Sequence, residues 1–194
     1  MRAIMILLST LFLTGCIVSN SIIFKEESAK GKPDLVINGD FDEALANQND
    51  YIAPWFIMAD NRNIEVLEID SNTSSSGNNS LKILPSGQRK LIVSESFEID
   101  NLGGYFISGY LKSTDKNKAT VIMEFRSYDR KGKLKDKFSM PIVPGDSWEN
   151  VNISAGLFKS TVRYGRIIFI IPSYQHEPIW IDNVGCFKVH QFMN

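Results

Sequence analysis

Histidine and cysteine are scarce in this chain. Its two histidines, His176 and His190, lie at no spacing that ties either to a nucleophile. No G-x-S-x-G, H-E-x-x-H or phosphate-cradling glycine loop occurs. Carboxylates are plentiful, but a hydrolase reading needs their separation in space, which a sequence does not carry. An enzyme is therefore not expected. The two cysteines, Cys16 and Cys186, give no disulfide framework. Charge is nearly balanced, with 21 Lys and Arg against 22 Asp and Glu. That excludes the strong basic excess of a nucleic-acid binder. No internal repeat is present, and helical spacing of apolar residues is rare.

Long hydrophobic runs are missing as well, apart from one at the start. Met1-Arg2 supplies a positive charge, and AIMILLSTLFLTG follows without acid or further base. This is a charged head and apolar stretch of secretory type, shorter than the ~20 residues a spanning helix needs. Its end, Leu13-Thr14-Gly15-Cys16, resembles the lipobox of bacterial lipoproteins. The resemblance implies acylation of the Cys16 thiol, cleavage before it, and a lipid bilayer as partner. It also implies a place at the bacterial cell envelope, on the outer membrane if the cell is Gram-negative, because Ile17 is not Asp. The plainer alternative is an ordinary signal peptide that contains a cysteine.

The expected organisation is a signal peptide over residues 1–15, a lipidated tether over 16–33 and one domain over 34–194. The tether closes at Gly31-Lys32-Pro33, and its apolar piece Ser21-Ile22-Ile23-Phe24 is suited to packing on the domain or near lipid. The domain is large enough for a core without staples. Short alternating runs bounded by turn residues predict an all-β fold. Strands are expected at 34–37, 64–68, 80–84, 91–99, 105–113, 120–129, 135–142, 149–154, 164–171 and 179–189. Residues 41–49 suit a short helix or an irregular loop. Asp129-Arg130-Lys131-Gly132 reads as a hairpin turn. The spacing fits a single β-sandwich or jelly roll. Within it, Cys186 is expected as a buried, inert core thiol.

Two separated stretches carry a further likeness. Leu35-Val36-Ile37-Asn38-Gly39-Asp40-Phe41-Asp42 precedes Trp55, and Ile179-Trp180-Ile181-Asp182-Asn183-Val184 comes near the end. Between them lie Gly77–Ile83, Tyr105–Ser113 and Trp148. In this order they resemble the CenC-type carbohydrate-binding modules of the galactose-binding-like jelly-roll group. The resemblance implies non-catalytic binding of a polysaccharide. It also implies a structural calcium between first and last strands, with Asp42 and Asp182 as its carboxylates. Asp42 is one methylene shorter than the family's usual Glu, and Asn183 replaces an acid. Turn capping and backbone hydrogen bonding are the alternative roles for these acids.

Period-2 alternation divides residues 120–129. Val121, Met123 and Phe125 share one face and read as core; Ile122, Glu124, Arg126 and Tyr128 share the other. Glu124, Arg126 and Tyr128 are the expected ligand-binding residues, against the alternative of a solvated sheet face. Tyr174, in the loop before the last strand, is a further candidate. Trp55 and Trp148 are expected as core plugs. The other function class consistent with the sequence is a structural or protein-docking lipoprotein of an envelope complex.

Overall fold

The computed structural model describes residues 22–43, 54–58, 66–114 and 119–193. Among these described residues eleven strands form two antiparallel sheets. The first sheet runs β1 (Phe56–Met58), β4 (Lys90–Val93), β10 (Val162–Ile171), β7 (Val121–Asp129) and β8 (Leu134–Ile142), with β5 (Phe97–Glu98) pairing the start of β10. The second runs β2 (Leu67–Asp70), β3 (Ser80–Ile83), β11 (Ile179–Gln191), β6 (Gly103–Ser113) and β9 (Glu149–Gly156). This is the β-sandwich that the alternation predicts.

The core follows from that alternation. Tyr105, Ile107 and Leu111 of β6, Val121, Met123 and Phe125 of β7, Ile167, Phe169 and Ile171 of β10, and Ile179, Ile181 and Cys186 of β11 all point inward. Phe97, Tyr105, Phe125, Phe138 and Phe158 form a ring cluster with neighbouring centroids 5.9–6.5 Å apart. Gly165 admits it: a Cβ there would stand 2.9 Å from both Phe97 and Phe125. Trp55 is fully buried against Phe41 and Phe169, and its indole N–H donates to the Asn38 carbonyl at 3.2 Å. Trp148 is only half-buried. The Cys186 thiol is buried and free, and burial pushes it well above its ordinary pKa.

Three local expectations are modified. Residues 34–37 make one bridge, Asp34 to Phe187, rather than a strand. The Asp34 carboxylate takes the N–H groups of Val36 and Cys186, both at 2.9 Å, and so competes with ladder pairing. The single strand expected over 91–99 is split. The Ser94 hydroxyl accepts the Ile167 N–H at 3.0 Å, in place of a ladder carbonyl, and separates β4 from β5. The segment before Pro33 is not wholly a loose tether. Glu26–Ser28 form a 3-10 turn, the Phe24 N–H donates to Ser154 Oγ at 2.8 Å, and the Phe24 ring lies 6.2 Å from His190. Residues 24–33 thus belong with the second sheet. Cys16, residues 1–15 and 16–21, and most of 41–49 lie outside the described residues.

Candidate functional site

The outward face of the first sheet brings three of the sequence candidates together. Along β7, Ile122, Glu124, Arg126 and Tyr128 point away from the core, opposite Ile170, Ile168, Arg166 and Tyr164 of β10. On the other side, β8 places Pro141, Ser139 and Lys137 opposite Ile122, Glu124 and Arg126. Cross-strand rows result. One joins the half-buried rings of Tyr128 and Tyr164, with Glu98 beyond them. The next is a cationic row, Lys137, Arg126 and Arg166.

Glu124 anchors this face. Its residue is only 4% exposed. Oε2 accepts Arg126 Nε at 2.7 Å and pairs with Nη2 at 2.5 Å; Oε1 accepts Ser139 Oγ at 3.3 Å and faces Lys137 Nζ at 3.5 Å. The carboxylate is thus surrounded by donors and holds the Arg126 fork in one orientation. Arg166 has no carboxylate partner among the described residues. Its guanidinium lies over the Phe56 ring, 5.3 Å from the centroid. Beyond this polar zone the face becomes apolar. Val93, Ile168 and Ile170 are buried there beside Phe56, Leu91 and Ile122.

At the Tyr164 end the face opens into a cleft of about 420 Å³, lined by Glu98, Asp100, Arg130, Arg163, Tyr164 and Lys188 among others. Lys188 pairs with Asp100 at 3.0 Å. Arg163 Nη1 donates to the carbonyls of Ser160 and Val162, at 3.0 and 2.5 Å. The Asp100 N–H donates to Tyr105 Oη at 2.7 Å, and burial pushes that phenol up to about 12. Arg130 reaches the cleft from the β7–β8 hairpin. That turn is rigid: Asp129 accepts the N–H groups of Lys131 and Lys133 and pairs with Lys135 at 2.9 Å, while Gly132 takes φ +75°. The Lys135 ammonium and these N–H groups hold the Asp129 carboxyl down at about 2.

Tyr174 is elsewhere. It is 52% exposed and follows the far end of β10. Tyr164 and Ile171 are seven residues apart, roughly 23 Å along the strand. Tyr174 therefore stands at the opposite end of the sheet from Tyr128. Its neighbour Gln175 is buried. It donates to the carbonyls of Ile83 and Glu177 and accepts from Lys90 Nζ at 2.9 Å. The Lys90 amine has lost its water, which brings its pKa down to about 8.

Asp42 and Asp182 both reach the 70–79 loop, but through N–H donors. Asp182 is fully buried; Oδ2 accepts Ser75 N, Ser75 Oγ and Ser76 N at 2.6, 2.8 and 3.3 Å, and Oδ1 accepts Asn183 N at 2.6 Å. Asp42 Oδ1 accepts the N–H groups of Asn78 and Asn79, both at 2.8 Å. Calcium needs six to eight oxygen lone pairs. N–H groups present none, and they occupy both oxygens of Asp182. This donor set does not fit a calcium ion. Desolvation raises the Asp182 pKa, and the four donors oppose that rise. Among the described residues no group of three His, Cys, Asp or Glu side chains converges on a metal-sized site.

Tyr164, Arg166, Lys137 and Ser139 were not singled out from sequence. Alternation within β10 and β8 assigns them a face, but only the register places them beside Glu124 and Tyr128.

Comparison with known proteins places the fold. No family model matches the chain, and no curated protein does. Among solved structures, it resembles an arabinose-bound GH51 α-L-arabinofuranosidase, MgGH51, with TM-score 0.60 and 17% identity. The match covers 79% of this chain and 26% of that one. A tailspike enzyme domain of bacteriophage CBA120 matches equally well, over 21% of its length. The chain thus spans about a quarter of the first enzyme and a fifth of the second. Whole-length likenesses are to isolated modules. TmCBM61, solved with β-1,4-galactotriose, gives TM-score 0.56 and 13% identity over 80% of this chain and 99% of its own. The C-terminal family 22 carbohydrate-binding module of Clostridium thermocellum Xyn10B gives 0.53 and 12% over 82% and 98%. At these identities the likeness establishes the β-sandwich jelly-roll fold.

Proposed function

We propose that this protein is a non-catalytic glycan-binding lipoprotein, anchored at a bacterial envelope through acylated Cys16. One observation carries the binding reading. The outward face of the first sheet pairs the half-buried Tyr128 with Tyr164 and sets beside them a polar network around Glu124. Aromatic rings offer an apolar surface to sugar C–H groups, and the preorganised polar side chains offer hydrogen bonds to hydroxyls. The whole-length structural neighbours are modules of this architecture and support the reading.

Catalysis is not part of the proposal. Among the described residues the carboxylates of this face are Glu124 and Glu98, whose backbones lie opposite Ile168 and Tyr164 of β10, four positions or about 13 Å apart along the strand. Paired hydrolase carboxyls stand about 5–9.5 Å apart. Glu124 is also saturated with donors. The anchor rests on the resemblance of Leu13–Cys16 to a lipobox and on the apolar run before it.

The test is a glycan-binding screen of the mature chain, made with Cys16→Ser and shown to be folded. Micromolar binding to a defined polysaccharide is expected. No binding to any glycan would remove the reading, and cross-linking in envelope membranes would then test the protein-docking alternative. Detergent partitioning and mass spectrometry of the native chain test the anchor separately: a diacylated Cys16 is expected, and a free thiol would refute it.

A further inference from the structure

We infer that the ligand of this face is an acidic glycan, one whose sugars carry carboxylates; this rests on the glycan-binding reading above. The chain as a whole is balanced in charge, yet its cations are concentrated beside Tyr128 and Tyr164. Five of the eight residues 130–137 are Arg or Lys. They form the hairpin and the edge strand that border the face.

The row Lys137, Arg126 and Arg166 crosses three adjacent strands. Like charges directly opposite one another in a sheet repel. Among the described residues Glu124 is the carboxylate that pairs with this row, through Arg126 and Lys137. Arg166 is left with the Phe56 ring. Arg130 and Arg163 line the adjoining cleft with Tyr164, and Arg163 Nη1 donates to backbone carbonyls rather than to a carboxylate. Guanidinium forks match carboxylates in a bidentate way. A uronate-bearing chain laid across the Tyr128–Tyr164 pair would bring its carboxylates to these forks and relieve the repulsion.

An anionic lipid surface is the competing source of negative charge. The placement of the N-terminal segment disfavours it. Phe24 is pinned to Ser154 of β9, on the outward face of the second sheet, which is the opposite side of the sandwich. The first described residues, Ile22–Phe24, thus lie on the side of the sandwich opposite the basic face.

The test measures binding of the full mature chain to polygalacturonate, alginate and hyaluronate, at low and at moderate salt. The comparison probes are methyl-esterified polygalacturonate, neutral galactan, polyglutamate and phosphatidylglycerol vesicles. At least one uronate polymer is expected to bind, losing about tenfold in affinity on esterification, the size of one charge-assisted contact. Arg166→Gln is expected to weaken that binding by a similar factor. Should Arg166→Gln disturb folding, Lys137→Gln serves instead, because that side chain is 53% exposed. Equal binding of neutral or esterified polymer would overturn the inference and leave glycan binding standing. Equal binding of polyglutamate or of the vesicles would overturn it in favour of unspecific charge attraction. No binding of any glycan, acidic or neutral, would overturn both.

Discussion

Tyr164 of β10 lies directly opposite Tyr128 of β7, and both half-buried rings emerge on the outward face of the first sheet. Beneath them, the Phe97–Phe125–Tyr105 cluster gives the strands a rigid base. Tyr128→Ala and Tyr164→Ala are each expected to weaken glycan binding by about 1–2 kcal/mol, roughly five- to thirtyfold. The melting temperature should move little, since neither ring enters the core. Titration calorimetry with thermal melts checks this. Unchanged affinity in both variants would remove the pair from the site.

Glu124 holds three donors on this face, Arg126, Ser139 and Lys137. Glu124→Ala is expected to cost about 1–3 kcal/mol in urea denaturation, because the half-buried Arg126 guanidinium loses its carboxylate partner. Lys137→Ala should cost under about 0.5 kcal/mol, since its ammonium is largely solvated. Equal losses from the two variants would contradict the central position of Glu124.

Asp182 ties the last strand to the 70–79 loop through three donors of Ser75 and Ser76, and takes a fourth from Asn183 N–H in its own strand. Asp182→Ala is expected to destabilise by about 2–4 kcal/mol, as buried N–H groups are left unsatisfied. Chelator and added calcium should each leave the melting temperature of the unmodified protein unchanged. A calcium-dependent rise of several degrees would show that a cation enters this site and displaces the N–H donors.

Lys90 gives a pH dependence of definite sign. Its folded pKa is about 8, below the ordinary 10.5, through loss of hydration. Between those values the unfolded chain binds more protons at this site than the folded one. Stability therefore rises with pH, beginning near pH 8. The clean window ends near pH 9, where Cys186 ionises in the unfolded chain but not in the folded one, and works in the opposite direction. Chemical denaturation at pH 7, 8 and 9 is expected to show the rise, and Lys90→Met should flatten it. An identical slope in Lys90→Met would assign the effect to another group.

Much of the sandwich was legible because alternation is a local property. Val121, Met123 and Phe125 against Glu124, Arg126 and Tyr128 needs only the two-residue strand period, and the structure keeps that division. The break at Ser94 was not legible, because a hydroxyl that replaces a ladder carbonyl works across 73 residues of sequence, toward Ile167. The basic hairpin was visible as residues 130–137, but not its place on the rim of a tyrosine-lined cleft.

Asp42 and Asp182 show the same boundary. Motif order suggested that they join the first and last strands; that both instead accept N–H groups of the 70–79 loop depends on how that loop turns. Sequence by itself determined the all-β class, the inward and outward faces of the strands and the apolar stretch ending at Cys16, since each depends on neighbours a few residues apart. Tertiary structure alone decided that Tyr164 and Arg166 join Tyr128 and Arg126, and that Tyr174 does not. Strand register is set by the packing of whole sheets and by distant turns, and no local pattern records it.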